Sequence, residues 1–440
     1  MKTSHLEKIA IFWFRRDLRL TDNAGLYYAL KSGYKVLPIF IFDTNILDKL
    51  EDKDDARVTF IYAQIAKLKA TLEQMGSSLK VFNTNPLEAF KTLSTTYSIA
   101  EIYTNHDYER YAIERDLEVK KWLNSNGIAF YSYKDQCIFE KEEILSNTQT
   151  PYTIFTPYSR KWKEKLNDFY LKAYPVEKYT NAFLKIDKLP LFDFESLGFI
   201  KSEVKIPKEQ VDLEIVKKYT ENRNFPSIIG TSRLSIHLRF GTLSIRYLAK
   251  IALKNNETWL NELIWRDFYM NIIFHFPHVC EGKSFRKEYD RIEWRNNPEE
   301  FEKWCSGKTG YPIVDAGMRE LKETGFMHNR VRMIVASFLT KHLLIDWRWG
   351  EAYFAKKLLD FDFAANNGGW QWASGSGCDA APYFRVFNPR LQTEKFDKNL
   401  IYIKKWVPEI NSFEYPNPIV DHDFARKRVL EVYKKALSPN

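Results

Sequence analysis

The chain has 440 residues, of which 45% are hydrophobic and 28% are charged, and its net charge at pH 7 is +9. That length allows two or three domains with a large core, and no apolar stretch approaches the length of a membrane span. The four cysteines lack CxxC spacing, which argues against a disulfide scaffold and against a zinc or other metal site. No signal peptide precedes the first strand-like run, which argues against secretion and predicts a cytoplasmic protein.

Alternating strand and helix patterns occupy residues 1–131. Apolar runs predict buried strands at 9–14, 36–42, 79–82, 99–103 and 128–131. Helical periodicity at 55–75 and at 109–126 stops in both cases just before a glycine suited to a helix C-cap. Strands that alternate with helices predict an α/β domain with a doubly wound parallel sheet. Neither GxGxxG nor a P-loop motif occurs in it, so dinucleotide and P-loop phosphate binding have no support.

Two further regions follow. Residues 132–200 contain scattered prolines and lysine-rich pieces, which predicts a connector between domains. Residues 201–440 show long helical patterns, which predicts an all-α domain. Helices are predicted at 243–252, 258–274, 298–306, 313–324, 329–344 and 350–359. Nine of the 12 tryptophans lie from Trp259 onward, a density that suggests a flavin, heme or nucleobase site, with a tryptophan-rich core as the alternative.

The segment 360–372 combines acidic, aromatic, amide and glycine residues in an order that a structural core does not need. Polar groups among aromatic ones require hydrogen-bond partners, and a ring cofactor with polar edges would supply them. Gly368 and Gly369 permit a tight turn or a close backbone approach to a ligand. Trp370 and Trp372 offer flat faces for stacking or for carrying an electron. The segment therefore predicts a pocket for a ring cofactor, and a loop packed on core tryptophans is the alternative.

Two other segments carry candidate binding groups. Hydroxyl residues at 230–235 precede a helix and could bind an anion at its N-terminus, although an ordinary N-cap explains them as well. On the next helix, Glu262 and Trp265 share a face at i, i+3 spacing, which suits a planar guest with hydrogen-bonding edges. The alternative is an amphipathic helix with a surface ion pair between Glu262 and Arg266.

The segment 328–333 adds more candidates. Asn329 and Met333 share one face of a predicted helix, and Arg332 could pair with an acid such as Asp360. Arg330 is expected to point elsewhere, towards a phosphate. His328 has no nucleophile paired with it in the sequence and is predicted to be structural.

These segments, in this order, resemble the DNA photolyase/cryptochrome family over nearly the whole chain. The match includes Trp-Phe-Arg-Arg-Asp-Leu-Arg at 13–19 and Asn-Asn-Gly-Gly-Trp-Gln-Trp at 366–372. Further matching blocks lie at 21–23, 230–235, 261–269, 309–315, 328–333 and 379–389. Within the family the chain is most similar to bacterial class I photolyases, which repair cyclobutane pyrimidine dimers in DNA.

The resemblance implies a non-covalent FAD in the helical domain, with an α/β domain of the antenna type. The expected cofactor-binding positions are Tyr219, Thr231, Ser232, Arg233, Leu234, Ser235, Trp259, Glu262, Arg266, Asn329, Arg332, Asp360, Asp362 and Asn366. The expected dimer pocket consists of Glu262, Trp265, Met333 and Trp372. The expected electron chain that photoreduces the flavin consists of Trp370, Trp347 and Trp294. Candidates for contacts to DNA phosphates are Arg223, Arg330, Arg385, Arg390 and Lys395.

The chemistry that the resemblance implies is driven by light. Excited, fully reduced FAD donates an electron to a dimer flipped out of the duplex, the two cyclobutane bonds split, and the electron returns. Asn366 is implied to face nitrogen five of the flavin, and Glu262 is expected to hydrogen-bond the dimer, which requires a raised pKa. Phosphate contacts would make DNA binding dependent on salt and independent of sequence. We expect a DNA-repair enzyme, and we expect it to be a monomer.

Three alternatives stay open. A cryptochrome-type blue-light sensor is disfavoured by the absence of a long polar tail before Asn440. A photolyase for the six-four photoproduct would need a histidine pair, which the positions around Asn329 and Met333 lack. The third is a flavin-binding DNA protein without repair activity. An antenna chromophore is also undecided, because Tyr111 and Ala112 replace the family's folate-binding pair and leave folate, a deazaflavin, a second flavin or an empty cleft.

Overall fold

The computed structural model describes residues 7–438. These residues form two compact units, each discontinuous in sequence. The first unit contains residues 7–140, 166–209 and 234–251, and the second contains residues 141–165, 210–233 and 252–438. The segment 132–200, predicted as a connector, is therefore divided between both units.

A five-stranded parallel sheet forms the centre of the first unit, as predicted. Its strands are β1 (Lys8–Phe14), β2 (Lys35–Asp43), β3 (Lys80–Thr84), β4 (Ser98–Asn105) and β5 (Ala129–Tyr133). They lie in the order β3-β2-β1-β4-β5 and every neighbouring pair is parallel. Six of the seven residues of β1 are buried, because a parallel sheet covered by helices is apolar on both faces.

Helices connect the strands of this sheet, and further helices of the first unit follow the last strand. In the first unit they are Ala24–Leu30, Thr44–Leu47, Ala56–Gln74, Pro86–Thr96, Arg110–Ser125, Asp168–Leu171 and Ser235–Arg239, and the unit boundary falls inside Ile245–Asn255. Side-chain oxygens of Asn23, Asp55 and Asn85 accept hydrogen bonds from backbone N–H groups in the first turns of their helices. These caps satisfy groups that would otherwise lack partners.

The arginine-rich block at 13–19 has a structural role in the first unit. Arg19 Nη2 lies 2.6 Å from Asp135 Oδ2, and Arg246 Nη2 lies 2.7 Å from Asp135 Oδ1. Burial alone would raise the pKa of Asp135, but Arg19 and Arg246 hold it below its ordinary value. Arg15 Nη1 pairs with Asp116 Oδ1 at 2.5 Å. The block therefore supplies buried ion pairs, which are costly to break because the remaining charge loses its partner.

The second unit is helical, in agreement with the predicted all-α domain. Its α-helices are Phe155–Lys165, Leu213–Lys217, Tyr219–Asn222, Glu257–His275, Pro298–Cys305, Pro312–Thr324, Asn329–Ser337, Trp347–Lys357, Phe363–Ser374, Pro389–Phe396, Ile401–Trp406 and His422–Leu437. A π-helical turn, Phe338–His342, follows Asn329–Ser337. The helix predicted at 329–344 is thus shorter, because the hydrogen-bond pattern widens at Phe338.

Most of the segment 360–372 is helical and not a loop. Asp362 caps the helix Phe363–Ser374 by accepting a hydrogen bond from the N–H of Ala365, and Gly368 and Gly369 lie in the helix interior. The tight turn considered for this glycine pair is therefore wrong. Among residues 7–438 no helix combines the length and apolar character needed to cross a membrane.

Candidate active site

A cavity of about 400 Å³ lies among the helices of the second unit. It is of the size usual for ligand pockets, about 300–1,000 Å³. The residues predicted from the sequence that line it are Arg223, Glu262, Trp265, Asn329, Arg332, Met333, Asp360, Asp362, Asn366, Trp370 and Trp372. Residues expected around a flavin and residues expected around a dimer therefore share one cavity.

An ion pair and an amide define one polar part of this cavity. Arg332 Nη2 lies 3.0 Å from Asp360 Oδ2, which confirms the pairing predicted from the sequence. Arg332 Nε also donates to the carbonyl of Met327 at 2.7 Å, so the guanidinium is held from two sides. Asn366 Nδ2 donates to the backbone carbonyl of Glu351 at 3.1 Å. In the amide of Asn366 only the NH₂ group can donate a hydrogen bond, so the NH₂ group must be the one that contacts this carbonyl. Oδ1 of Asn366 is therefore left to accept a hydrogen bond from a ligand.

The two glycines of helix Phe363–Ser374 have different surroundings. A Cβ added at Gly368 would lie 2.1 Å from Cε1 of Tyr269, so this position lets two helices approach closely. A Cβ added at Gly369, which lines the cavity, would meet no atom within 4 Å. The missing side chain at Gly369 therefore leaves open space in the cavity wall, as the close-approach interpretation of the sequence required.

Glu262 is held by two neighbours from another part of the second unit. Its Oε1 forms an ion pair with Arg223 Nη1, and the hydroxyl of Tyr219 donates to its carboxylate. Burial raises the pKa of Glu262 above its ordinary value, and the opposing effects of Arg223 and Tyr219 do not cancel that rise. A raised pKa is the condition that a hydrogen-bonding role towards a dimer requires.

Trp265 and Trp372 both contribute to the cavity wall. The ring of Phe155 stacks on Trp265 with centroids 3.7 Å apart and planes 2° from parallel. Phe155 therefore covers one face of Trp265, and the ring of Tyr269 also stacks against Trp265 with its centroid 5.4 Å away. Trp372 is half-buried, and the ring centroid of Phe387 lies 6.4 Å from its own. Sequence reasoning missed Phe155, because nothing in the proline-containing region around it marks a partner 110 residues further along the chain.

The candidate phosphate-binding residues include a cluster of arginines. Burial lowers the pKa of Arg330, and the neighbouring charges of Arg223 and Arg385 lower it further. Arg330 Nη2 donates to Asn224 Oδ1 at 2.8 Å, and its guanidinium lies 4.5 Å from the ring centroid of Phe396. Because the positive charges of Arg223 and Arg385 act on Arg330, an anion that binds here would be favoured.

The other two candidates lie on helix Pro389–Phe396. Arg390 is exposed and pairs with Glu394 one turn along the helix, at 3.0 Å. Lys395 Nζ lies 5.4 Å from the ring centroid of Phe396. Phe396 therefore contacts both Lys395 and Arg330, which brings the helix next to the arginine cluster.

The three tryptophans of the predicted electron chain differ in burial. Trp370 lines the cavity, Trp347 is 1% exposed, and Trp294 is half-buried. All three pack in the same hydrophobic core, which a purely structural role would also produce. Trp304, which no motif marks, lies with its ring centroid 6.0 Å from that of Trp370. The electron chain stays a prediction.

Several predicted cofactor positions lie outside the cavity wall. Tyr219 contacts Glu262, and Trp259 and Arg266 are buried and half-buried on helix Glu257–His275. Arg233 has a positive φ of 52° and its guanidinium lies 4.4 Å from the ring centroid of Phe326.

The remaining cofactor positions belong to the block 230–235, in which the unit boundary falls. Thr231 and Ser232 are half-buried in the second unit, whereas Leu234 and Ser235 belong to the first. The helix that Ser235 begins has only five residues, so its dipole is weaker than that of a long helix.

The first unit contains a second, smaller cavity of about 190 Å³. Asn45 and Asn85, which follow the carboxyl ends of β2 and β3, line it together with Tyr111 and Arg115. The hydroxyl of Tyr111 donates to Asp43 Oδ2 at 2.6 Å. Ligands of open α/β sheets bind at this edge.

A parallel sheet with helices and a helical unit with a polar-edged cavity define a two-part protein of the photolyase/cryptochrome type. Residues 10–178 match the family model described as DNA photolyase, and residues 259–414 match the FAD binding domain of DNA photolyase. The chain belongs to the DNA photolyase family.

Individual relatives agree with this assignment. The deoxyribodipyrimidine photo-lyase of Vibrio cholerae is 36% identical over 97% of this chain and 99% of its own. The crystal structure of a class III photolyase from Agrobacterium tumefaciens has a TM-score of 0.86 at 32% identity and covers 99% of both chains. That of an archaeal photolyase from Sulfolobus tokodaii with two FAD molecules has a TM-score of 0.78 at 36% identity and covers 97% of this chain and 99% of that one. The subclass predicted from the sequence, class I, stays a prediction.

The residues around the larger cavity fit FAD. The open space at Gly369 admits a flat ring, and Oδ1 of Asn366 and the Arg332–Asp360 pair offer hydrogen bonds to its polar edges. Trp370 and Phe354 contribute apolar wall, as planar ligands require.

Proposed function

We propose that this protein is a deoxyribodipyrimidine photo-lyase that repairs cyclobutane pyrimidine dimers in DNA under blue light. The observation that carries the proposal is the single cavity that unites Asn366 and the Arg332–Asp360 pair with Glu262, Trp265 and Trp372. FAD, when bound, supplies the photochemical electron transfer. The names of the relatives support the same activity.

The protein's part is to take the dimer out of the duplex and hold it. Flipping costs a few kcal/mol and least for a damaged base, while stacking on aromatic side chains returns about 1–3 kcal/mol per base. The parts of Trp372 and Trp265 that line the cavity offer such stacking, and Phe155 and Tyr269 keep the Trp265 ring in place. The two magnitudes are similar, so lesions are selected because they stack poorly in the duplex.

Glu262 is proposed to hydrogen-bond the flipped dimer. In the protein alone Oε1 of its carboxylate is paired with Arg223. We propose that Arg223 turns to a DNA phosphate and that the released Glu262 contacts the dimer. This exchange makes DNA binding and dimer binding dependent on each other.

The arginine cluster is proposed to bind the DNA backbone. Arg330 is held by Asn224 and Phe396 and loses little side-chain freedom when it contacts a phosphate. Contacts to phosphates position the duplex without reading its sequence. The proposal includes a monomeric protein in the cytoplasm, and both of these stay predictions.

A second chromophore is proposed for the first unit. The structure from Sulfolobus tokodaii contains two FAD molecules, which imply a novel light-harvesting cofactor in that protein. The 190 Å³ cavity beside Tyr111 is where we expect such a group, and folate, a deazaflavin and a second flavin are the candidates. The absorption spectrum of the purified protein, compared with that of free FAD, would identify it or show only FAD.

Repair yields of Glu262 variants test the proposed function. Chemically reduced protein would be mixed with dimer-containing DNA and illuminated with blue light, and the remaining dimers counted. Glu262→Gln should keep most of the repair yield because its amide still donates a hydrogen bond, whereas Glu262→Ala should lose a large part of it. Glu299→Gln, at an exposed carboxylate, is the matched control. Full activity in Glu262→Ala would contradict the role of Glu262, and absence of repair by the unaltered protein would contradict the function itself.

A further inference from the structure

A chain of polar side chains lies behind Asn366 on helix Phe363–Ser374. The N–H of Phe285 donates to Gln371 Oε1 at 2.7 Å, and Gln371 Nε2 donates to Asn367 Oδ1 at 2.9 Å. Asn367 Nδ2 in turn donates to Glu351 Oε1 at 2.9 Å. The backbone carbonyl of Glu351 accepts the hydrogen bond from Asn366 Nδ2. Glu351 thus contacts both the amide that lines the cavity and the amide next to it.

The direction of this chain is fixed by its chemistry. A backbone N–H can only donate, so Gln371 must present its oxygen to Phe285 and its NH₂ group to Asn367. Asn367 must then present its oxygen to Gln371 and its NH₂ group to Glu351. Every member donates towards the Glu351 carboxyl, which is the acceptor at the end and the one member that can change charge. Replacing that acceptor would leave the buried NH₂ group of Asn367 with only the more distant carbonyl of Val279, 3.4 Å away.

The charge of this carboxyl is finely balanced. Burial raises the pKa of Glu351 to about 7, against the opposing effects of Asn367 and Arg348, and Asp346 adds to the rise. Arg348 is itself shared between Asp346 and Asp290, so it is not fully available to neutralise Glu351. Arg348 and Asp346 are the charged groups of the described chain that act on Glu351.

We propose that Glu351 is a positioning residue of the flavin site: its backbone carbonyl holds the amide of Asn366, its carboxyl holds the amide of Asn367, and its charge is coupled to the electron affinity of bound FAD. This inference rests on the proposed function, because it requires FAD in the cavity beside Asn366. A carboxylate bonded to Asn367, the neighbour of Asn366, opposes the negative charge that the flavin gains on reduction. Reduction of the flavin, with electrons from an external reductant, is therefore accompanied by uptake of up to one proton from water by Glu351.

The pH dependence of the reduction potential of bound FAD tests this proposal. The potential would be measured with redox mediators from about pH 5.5 to about pH 8.5, across the range in which the group titrates. The unaltered protein and the control Glu299→Gln should take up more protons per reduced flavin near pH 7 than Glu351→Gln, by a fraction of one proton. Glu351→Gln keeps an oxygen for Asn367 and should hold FAD as tightly as the unaltered protein.

A third variant separates positioning from charge. Glu351→Ala removes both the acceptor and the charge, so it should bind FAD more weakly than Glu351→Gln. Equal proton uptake in the unaltered protein and Glu351→Gln, or equal FAD affinity in the Gln and Ala variants, would overturn the proposal. A protein that binds no FAD would overturn the proposed function together with this inference. If FAD binds but its reduction potential depends on pH in the same way in the unaltered protein and in Glu351→Gln, this inference alone is overturned.

Discussion

The neighbouring glycines of helix Phe363–Ser374 allow a prediction in which one substitution type has opposite effects. In a helix interior Ala is favoured over Gly by about 1 kcal/mol. At Gly369 the added methyl group meets no atom within 4 Å, so Gly369→Ala should raise the free energy of unfolding of the FAD-free protein by up to about 1 kcal/mol. At Gly368 the methyl group would lie 2.1 Å from the ring of Tyr269.

That contact changes the sign of the effect at Gly368. Overpacking costs about 1–3 kcal/mol, and the ring of Tyr269 has little room to move because Trp265 and Phe268 pack against it. The cost exceeds the gain in helix propensity, so Gly368→Ala should lower the free energy of unfolding by about 1–2 kcal/mol. Urea unfolding of both FAD-free variants, followed by circular dichroism, measures the difference directly.

At Gly369 the same substitution that stabilises the FAD-free protein should weaken the binding of FAD. The added methyl group enters the open space in the cavity wall, so Gly369→Ala should weaken FAD binding by about tenfold or more, which corresponds to about 1.4 kcal/mol. Quenching of FAD fluorescence on binding reports this affinity. If Gly369→Ala binds FAD like the unaltered protein, the flavin does not lie against this wall. If both glycine variants unfold alike, the helix packing described for Gly368 is wrong.

Three further variants probe charge and electron transfer. Trp370→Phe should abolish photoreduction of oxidised FAD and preserve repair by chemically reduced protein; normal photoreduction under blue light would remove Trp370 from the electron chain. Arg330→Ala should weaken binding to damaged and undamaged DNA alike and reduce the slope of log K against log salt by about 0.9, whereas the exposed, ion-paired Arg390 should matter less. Glu351→Gln should remove a pH dependence of stability. The pKa of Glu351 in the folded protein, about 7, exceeds its ordinary value of 4.5. The contribution of Glu351 to the free energy of unfolding is therefore complete below pH 4.5 and falls by up to about 3 kcal/mol as pH rises through 7. Equal urea midpoints of Glu351→Gln and the unaltered protein at all pH values would contradict that assignment.

The elements of the fold were largely predictable because they depend on local patterns. Apolar runs predicted all five strands, and helical periodicity predicted several of the longer helices to within a few residues. Other helices, such as Pro86–Thr96 and His422–Leu437, were not predicted. The order of the strands and the division of 132–200 between two units depend on long-range packing, which periodicity does not contain. Gly368 and Gly369 indicated a turn by propensity, but the cap at Asp362 and the burial of the helix decided otherwise.

The site was predictable where a motif carries it. The Arg332–Asp360 pair and the shared cavity face of Asn329 and Met333 follow from helical spacing and the resemblance. The partners of Glu262 and Trp265 do not follow, because Arg223 and Phe155 lie on segments far away in sequence. Glu351 escaped attention because its importance comes from the amides that converge on it.

Light-dependent loss of dimers in a single turnover tests the central claim most directly. Protein loaded with FAD, chemically reduced and in excess over an oligonucleotide with one cyclobutane dimer, would be compared under blue light and in darkness. The account predicts that dimers disappear in the light and persist in the dark, while DNA is bound in both. Dimers that persist under illumination, although reduced FAD and damaged DNA are both bound, would contradict it.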